Sequence, residues 1–245
     1  MQSHGAARVE DLSTALGVSV ATVRRDLDEL QENGVLRRVH GGAVAVDKRR
    51  VEGRFEAKAG AHAEEKRRIA DCAARLVEPG ESVYLDSGST CLELARLLAE
   101  RGDLTVVTNS LPAAVELSGR GPRVVVIGGE LRPLSQALVG PLSRPLLDHV
   151  YVDRAFMGTF GLSLEAGLTT TDPSEALTKE AILGRARQVV LLADRSKLGT
   201  RAFAHAGRLD QVTVLITDQP LDDQAAAAFE RAGVEVLVAD DGAGV

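Results

Sequence analysis

Aromatic residues are scarce in this sequence of 245 residues, since they make up 3% of it and tryptophan is absent. A hydrophobic core therefore has to be built from valine, leucine, isoleucine and alanine. Apolar runs are short as well, and none approaches the roughly 18 uninterrupted residues of a membrane-spanning helix. The first residues are polar and contain no stretch like the apolar core of a secretory signal peptide. We therefore expect a cytoplasmic protein with no membrane partner.

Cysteine is nearly absent too, with Cys72 and Cys91 as the two examples. Their spacing matches no metal-binding motif, and no histidine cluster lies near them. Two buried, reduced thiols are the expected interpretation. The sequence thus predicts neither a metal site nor a disulfide framework.

The charge of the chain is unevenly distributed. The net charge of −6 argues weakly against nucleic-acid binding, but residues 1–50 carry a net charge of +1 and the rest of the chain −7. Within the first segment Glu10 and Asp11 come early, and arginines and lysines concentrate towards its end. Because the local field decides where a phosphate backbone docks, the N-terminal segment remains a candidate for DNA binding.

Two patterns of hydrophobicity divide the chain. Residues 8–33 have the pattern of helix, turn and helix, whereas residues 80–240 alternate short β-branched runs with amphipathic stretches. Strands that are apolar on both faces and alternate with helices are typical of a mainly parallel sheet covered on both sides. We predict an α/β protein with a small helix-turn-helix module over residues 1–50, a linker over 51–63, and a larger Rossmann-like, mainly parallel α/β domain over 64–241.

The N-terminal segment has the signals of a winged helix-turn-helix. Gly17 separates helices predicted over residues 10–16 and 20–32, and the second has an apolar stripe at Val23, Leu27 and Leu30. Side chains off this stripe face outward, where hydroxyl and guanidinium groups can contact bases and phosphates in a major groove. The following VLRRVHGGAV predicts a hairpin wing. The alternative is a solvated amphipathic helix followed by an ordinary hairpin. The candidate DNA-binding residues are Ser19, Thr22, Arg24, Arg25, Arg37, Arg38 and His40.

Polar, glycine-containing sequences follow three predicted strands of the larger domain. They are DSGST at residues 86–90, TNS at 108–110 and GGE at 128–130. The carboxyl ends of parallel strands lie side by side, and N–H groups at a helix N-terminus bind anions. A capped turn explains each sequence alone, but three in succession predict a phosphate site. Its candidate residues are Asp86, Ser87, Gly88, Ser89, Thr90, Thr108, Asn109, Gly128 and Gly129.

Both parts of the chain resemble the DeoR family of bacterial transcriptional repressors. The string LGVSVATVRRDLDELQENGVLRRVHGGAV is similar to the winged helix-turn-helix of that family, and the similarity covers residues 8–45. The string DRAFMGTFGLSLEAGLTTTDPSEALTKEAILGRARQVVLLADRSKLG at residues 153–199 is similar to its sensor domain, and the similarity covers residues 66–240. That domain itself resembles ribose-5-phosphate isomerase. Family members carry a further helix before the segment that matches residues 7–12, and MQSHGA leaves no room for it here. Two interpretations are open: the natural protein starts upstream of Met1, or the module folds without that leading helix.

The resemblance implies roles for residues of the larger domain. Residues 87–90 would hold a phosphate, Asp86 would lie near the sugar hydroxyls, and Thr108 and Asn109 would line the crevice. The further implied contacts are Glu175, Lys179, Asp194 and Lys197. Glu175 and Lys179 also fit an ordinary surface ion pair, which would contribute only about 0.3–0.5 kcal/mol.

The predicted function is that of a repressor of a sugar-metabolism operon. It would bind double-stranded operator DNA as a homo-oligomer and release it when a phosphorylated sugar or sugar alcohol enters the crevice. No catalytic residue and no cofactor is assigned. One rival is a sugar-phosphate isomerase with an appended DNA-binding module, because Asp86 and Glu175 are available as bases. A second rival is an activator, or a regulator whose sensor domain has lost its ligand.

Overall fold

A computed structural model of the chain describes residues 6–32, 36–39, 41–45 and 52–239. Among the predicted DNA-binding residues, His40 lies outside these ranges, and for Arg37 and Arg38 the backbone alone is described.

The N-terminal module consists of two helices and a small antiparallel sheet. Its elements are β1 (Ala6–Arg8), α1 (Val9–Leu16), α2 (Val20–Glu32), β2 (Leu36–Val39) and β3 (Gly42–Ala45), with the strand order β1-β3-β2. Gly17 ends α1 in the left-handed conformation that the turn requires, with φ at 67°. The core of the module is formed by Val9, Val23, Leu27, Leu36 and Ala43.

Two details of this module differ from the sequence prediction. Strand β1 was not predicted, and it pairs with β3 so closely that a Cβ on Gly42 would lie 2.2 Å from the carbonyl oxygen of Ala7. Leu30, predicted on the apolar stripe, is 38% exposed. The stripe that packs on the sheet is therefore shorter than the sequence pattern indicated.

The larger part of the chain alternates strands and helices. Its elements are α3 (Phe55–Gly60), α4 (Ala63–Ala74), β4 (Ser82–Leu85), α5 (Ser89–Leu98), β5 (Thr105–Thr108), α6 (Leu111–Leu117), β6 (Arg123–Val126), β7 (Glu130–Arg132), β8 (Ala137–Val139), α7 (Arg144–Leu147), β9 (Val152–Gly158), β10 (Gly161–Ser163), β11 (Gly167–Thr170), α8 (Pro173–Leu183), β12 (Ala186–Leu192), β13 (Ala204–Gly207), β14 (Val214–Thr217), α9 (Asp223–Arg231) and β15 (Glu235–Val238). Short 3-10 turns lie at Pro141–Ser143, Arg195–Lys197 and Leu209–Gln211.

A seven-stranded sheet organises this part of the chain. Its order is β15-β14-β12-β9-β4-β5-β6, and every neighbouring pair is parallel. The first strand of this sheet along the polypeptide is β4, which is followed outward by β5 and β6. The polypeptide then crosses to the other side of β4, where β9, β12, β14 and β15 form the second half of the sheet. The predicted parallel α/β architecture is confirmed. The antiparallel pair β7-β8 and the three-stranded sheet β10-β11-β13 were not predicted.

Apolar side chains cover both faces of the large sheet. One core joins α4, α5 and α6 to alternate strand residues such as Val83 and Phe156. The other core joins α8 and α9 to the residues that follow these along the strands, Tyr84 and Met157. Adjacent strand residues thus point to opposite, equally buried faces, as expected for a sheet with helices on both sides. Within the described ranges, no helix is long and apolar enough to cross a membrane.

The segment predicted as a linker, residues 51–63, contains ordered structure. Helix α3 lies within it, and Phe55 at the start of that helix is buried. The side chain of Glu52 is only 5% exposed and contacts residues of the larger domain. The part of residues 51–63 that the structure describes is therefore packed, and it borders the crevice described next.

Candidate functional site

A crevice opens at the carboxyl ends of β4, β9 and β12, where the strand order of the large sheet reverses. Strand β4 continues through residues 86–88 into α5, and β9 ends at Gly158 beside it. Ligands of open parallel sheets bind at such reversals, because the loops of the two halves diverge there. The crevice is closed from above by Lys58 and His62, which lie in and just after α3.

The N-terminus of α5 forms one wall of the crevice. Gly88 is the N-cap residue with φ at 141°, and Ser89 and Thr90 are buried in the first turn. The first N–H groups of a helix have no partner within the helix and carry a partial positive charge. The hydroxyl of Ser87 is buried in the same wall, and no hydrogen-bond partner for it is found within the described residues. This wall offers donors to an anion.

Four lysines line the same crevice: Lys58, Lys66, Lys179 and Lys197. Lys66 is 5% exposed and donates hydrogen bonds to the backbone carbonyls of Lys58 and Ala61. Within the described ranges, no carboxylate lies within 4.0 Å of its ammonium group. Burial lowers the pKa of Lys66 to about 8, with Asp194 opposing this effect and Lys197 adding to it. A buried cation without a paired carboxylate favours an anionic ligand.

A chain of alternating charges crosses the floor of the crevice. Lys179 forms an ion pair with Oδ2 of Asp86 and lies 3.6 Å from Oε1 of Glu175. Arg132 donates to Oε2 of Glu175 over 3.2 Å and to Oε2 of Glu52 over 2.7 Å. Oδ2 of Asp86 also accepts the N–H of Gly158 over 2.9 Å. These contacts connect the segment before α3 to the base of the crevice.

Burial and neighbouring charges shift the pKa values of Lys179 and Glu175 on the floor of the crevice. Burial lowers the pKa of Lys179, but the carboxylates of Asp86 and Glu175 outweigh it and raise that pKa above its ordinary value. Burial raises the pKa of Glu175, although Lys179 opposes the rise. Both side chains are less than a tenth exposed. The alternative of an ordinary surface pair for Glu175 and Lys179 is therefore excluded.

The outward face of α2 is the candidate DNA-binding surface. Ser19 accepts the N–H of Thr22 over 3.1 Å, and their two hydroxyls lie 2.9 Å apart. Ser19 thus caps the helix, which limits its freedom to contact DNA. Arg24 and Arg25 are exposed on this face, and the side chain of Arg25 is 82% exposed. The two arginines are placed where a recognition helix presents its base and phosphate contacts.

Comparison with known proteins covers both parts of the chain. The model of the DeoR C terminal sensor domain matches residues 61–219, and that of the DeoR-like helix-turn-helix domain matches residues 1–49. The chain belongs to the DeoR family. It is a DNA-binding transcriptional regulator. The family resemblance predicted from the sequence is thereby confirmed.

Curated relatives of this DeoR-family protein are similar over nearly their whole length. The HTH-type transcriptional regulator GlpR of Haloferax volcanii is 42% identical, covering 94% of this chain and 90% of its own. The HTH-type transcriptional repressor GlcR of Bacillus subtilis is 33% identical, covering 100% of this chain and 94% of its own. Ribose 5-phosphate isomerase A of Methanocaldococcus jannaschii is a similar solved structure, with a TM-score of 0.43 and 22% identity. This chain covers 55% of that structure, and 56% of this chain is matched.

The structure brings together most of the predicted ligand residues of this DeoR-family protein and separates others. The residues of DSGST, together with Glu175, Lys179, Asp194 and Lys197, all lie in the crevice or against it. Thr108 and Asn109 lie behind it, since the hydroxyl of Thr108 donates to the carbonyl of Leu85 and the amide of Asn109 to the carbonyl of Leu138.

Gly128 and Gly129 follow β6, the edge strand furthest from the strand-order reversal on that side. They pack against Ser143 and Val139, and the carbonyl of Gly128 accepts the hydroxyl of Ser143 over 2.8 Å. None of these four residues lines the crevice. Thr108, Asn109 and Gly128 form hydrogen bonds elsewhere, and Gly129 packs against Val139 and Ser143.

Sequence reasoning missed the cations Lys58, Lys66 and Arg132 and the carboxylate of Glu52. For Lys66 a signal existed, since it lies three and four residues before Ile69 and Ala70 on the buried face of α4. A lysine on an apolar helix stripe is unusual and indicates a function or a buried partner. Glu52 and Arg132 gave no local signal, because they are 80 residues apart.

Proposed function

We propose that this DeoR-family protein is a repressor that releases its operator when a phosphorylated sugar or sugar alcohol binds in the crevice. The observation that carries the proposal is the wall of α5. There the buried hydroxyl of Ser87, which has no hydrogen-bond partner among the described residues, lies at the start of the helix, and Lys66 lines the same crevice. A phosphate dianion would find N–H donors, hydroxyl donors and unpaired positive charge there.

The floor of the crevice is suited to the polyol part of the same ligand. Oδ1 of Asp86 is buried and has no hydrogen-bond partner within the described residues. Glu175 lies beside it with a raised pKa. Carboxyl groups accept hydrogen bonds from vicinal hydroxyls. The wall of α5 would therefore bind the phosphate, and the carboxyl groups on the floor would bind the hydroxyls. An unphosphorylated sugar would leave the cationic wall without a partner.

The DNA-binding role rests on the helix-turn-helix, and we propose that it acts in a homo-oligomer in the cytoplasm. One recognition helix contacts only a few base pairs, so two modules bound one helical turn apart give the specificity that an operator requires. Effector binding must favour one arrangement of the modules over another, because equal affinity for both arrangements would shift nothing.

The proposal is tested with a duplex that the protein itself selects from a random pool. Fluorescence anisotropy then follows release of this duplex while a panel of sugar phosphates and polyol phosphates is added, each beside its unphosphorylated parent. We expect release by a phosphorylated compound at a concentration that also stabilises the protein, by about 2.7 kcal/mol at 100 times Kd. Release by the unphosphorylated parent at equal concentration would refute the phosphate assignment. Turnover of any panel member, measured in parallel, would instead favour the isomerase interpretation.

A further inference from the structure

Glu52 lies at the edge of the crevice although it belongs to the segment that follows the DNA-binding module. Its Oε1 accepts a hydrogen bond from Lys58 over 2.6 Å, and its Oε2 accepts one from Arg132 over 2.7 Å. The hydroxyl of Thr171 donates to the same Oε2. The carboxylate is thus held by two cations and a hydroxyl at 5% exposure of its side chain.

Lys58, Arg132 and Thr171 form an anion site, and the carboxylate of Glu52 occupies it. Burial raises the pKa of Glu52, but the hydrogen bond from Arg132 and the charge of Lys58 outweigh it and lower the pKa to about 2. A carboxylate so placed is fully ionised near neutral pH and resembles the anionic ligand of a binding pocket. The site is continuous with the crevice, because Glu52 and Lys58 both line it.

Lys58 is placed to interact with the carboxylate of Glu52 and with a phosphate bound at α5. Its ammonium group pairs with Glu52, and the residue lines the same crevice as Ser87 and Ser89. The backbone of Lys58 is also close to α5, because its carbonyl accepts the hydroxyl of Ser89 over 3.5 Å. A phosphate dianion at α5 carries more charge than the carboxylate and would attract the same ammonium group. Its own charge would also repel Glu52, since like charges in a partly buried site destabilise each other.

We propose that Glu52 is an internal competitor of the effector, whose phosphate displaces it and frees the segment that joins the DNA-binding module to the sensor domain. This inference rests on the proposed function, because it takes the phosphate to bind at α5. The contacts of Glu52 with Lys58 and Arg132, together with the buried side chain of Phe55, hold the start of α3. When the phosphate engages Lys58, the carboxylate loses a partner and residues 52–60 detach. The segment is then ordered in one state and released in the other, which is the difference between states that a switch needs.

The test compares Glu52→Gln with a matched control, Glu56→Gln. Glu56 lies in the same segment and is exposed, and it accepts a hydrogen bond from Gln136 over 2.6 Å. Both variants remove one negative charge from the full chain. Inorganic phosphate at pH 7.5 is the probe, and its binding is measured by calorimetry. We expect Glu52→Gln to bind phosphate roughly 5- to 150-fold more tightly than the wild type, as is typical of coupled sites, and Glu56→Gln to stay within about twofold of it.

Hydrogen exchange supplies a measurement that does not depend on either variant. Exchange of residues 52–60 is followed in the wild type with and without saturating phosphate. Faster exchange with phosphate supports displacement of Glu52, whereas slower exchange overturns it. Equal phosphate affinity in the wild type and Glu52→Gln also overturns the inference while leaving the proposed function intact. Absence of binding by phosphate and by the whole panel of sugar phosphates, in both proteins, refutes the proposed function together with the inference.

Discussion

Raising the pH from 7 to 9 should weaken binding of a sugar phosphate because Lys66 loses its proton. Burial lowers the pKa of Lys66 in the free protein to about 8. A bound phosphate restores the advantage of the charged form, so the pKa of Lys66 in the complex returns towards the ordinary value of a lysine. Lys66 is therefore nearly fully protonated in the complex at both pH values, but in the free protein it is mostly protonated only at pH 7.

The size of the effect follows from the pKa. With a value of about 8, about nine-tenths of the free protein carries the charge at pH 7 and about one-tenth at pH 9. Affinity should fall about tenfold over this range, or by about 1.4 kcal/mol. The second ionisation of a phosphate monoester, near pH 6, is nearly complete throughout, so the ligand does not titrate. Burial raises the pKa of both Tyr84 and Cys91, which keeps these neighbours neutral as well.

Isothermal titration in two buffers of different ionisation enthalpy measures both the affinity and the protons exchanged. At pH 9 we expect uptake of about 0.9 proton per ligand bound, against about 0.1 at pH 7. Lys66→Met keeps the length of the side chain and removes the titrating group, so its affinity should be lower at pH 7 and nearly independent of pH. An equal fall in affinity for Lys66→Met and the wild type would show that another group titrates. No proton uptake by the wild type at pH 9 would refute the role of Lys66.

Three further substitutions test the remaining parts of the structure. Arg25→Ala should weaken operator binding by about 1–3 kcal/mol or reduce its salt dependence, as measured by fluorescence anisotropy. The response to the proposed effector should stay unchanged. Unaltered affinity and salt dependence would contradict the assignment of α2 as the recognition helix. Gly88→Asp should make the protein insensitive to the proposed phosphorylated effector. Two unit charges about 4 Å apart repel by up to about 4 kcal/mol at an effective dielectric constant of about 20. Gly88→Ala is its control, because at φ 141° it carries the same backbone strain without the charge, and an equal loss in both would leave strain as the cause. Lys179→Met should lower the free energy of unfolding, measured in urea, by about 3–5 kcal/mol because it leaves Asp86 buried without its cation. Adding Asp86→Asn should restore part of that loss. A loss below about 1 kcal/mol would show that the pair is replaceable.

The large sheet was predictable because each of its signals is local. Runs such as VVLLAD, apolar on both faces, are explained by a strand between two layers of helices. The sequence DSGST was also identifiable, since a strand end, a glycine and hydroxyl side chains before an amphipathic helix define an anion-binding turn without reference to the rest of the chain.

The rest of the site depends on contacts between distant segments. Thr108 and Asn109 carry the same kind of signal as DSGST, but the neighbouring strands engage their side chains. Only the strand order shows that β4 and β9, and not β5 and β6, flank the crevice. Residues 51–63 were predicted to be a linker because they are charged and polar. Their packing was missed because the partner of Glu52 is Arg132, which lies in the β7-β8 hairpin, and that hairpin was not predicted.

The chain of charges across the crevice also has a consequence for the lifetime of the regulator. Its links join Glu52 to Arg132, Arg132 to Glu175 and Lys179 to Asp86, over 80, 43 and 93 residues respectively. Closing such long loops is opposed by chain entropy until the sheet has brought the segments together. A ligand held by Asp86 and Glu175 binds only molecules in which Arg132 has reached Glu175 and Lys179 has reached Asp86. Binding therefore withdraws these molecules from the unfolding equilibrium. The cellular level of the effector would then set how long each copy of the protein survives proteolysis, in addition to how often it occupies DNA.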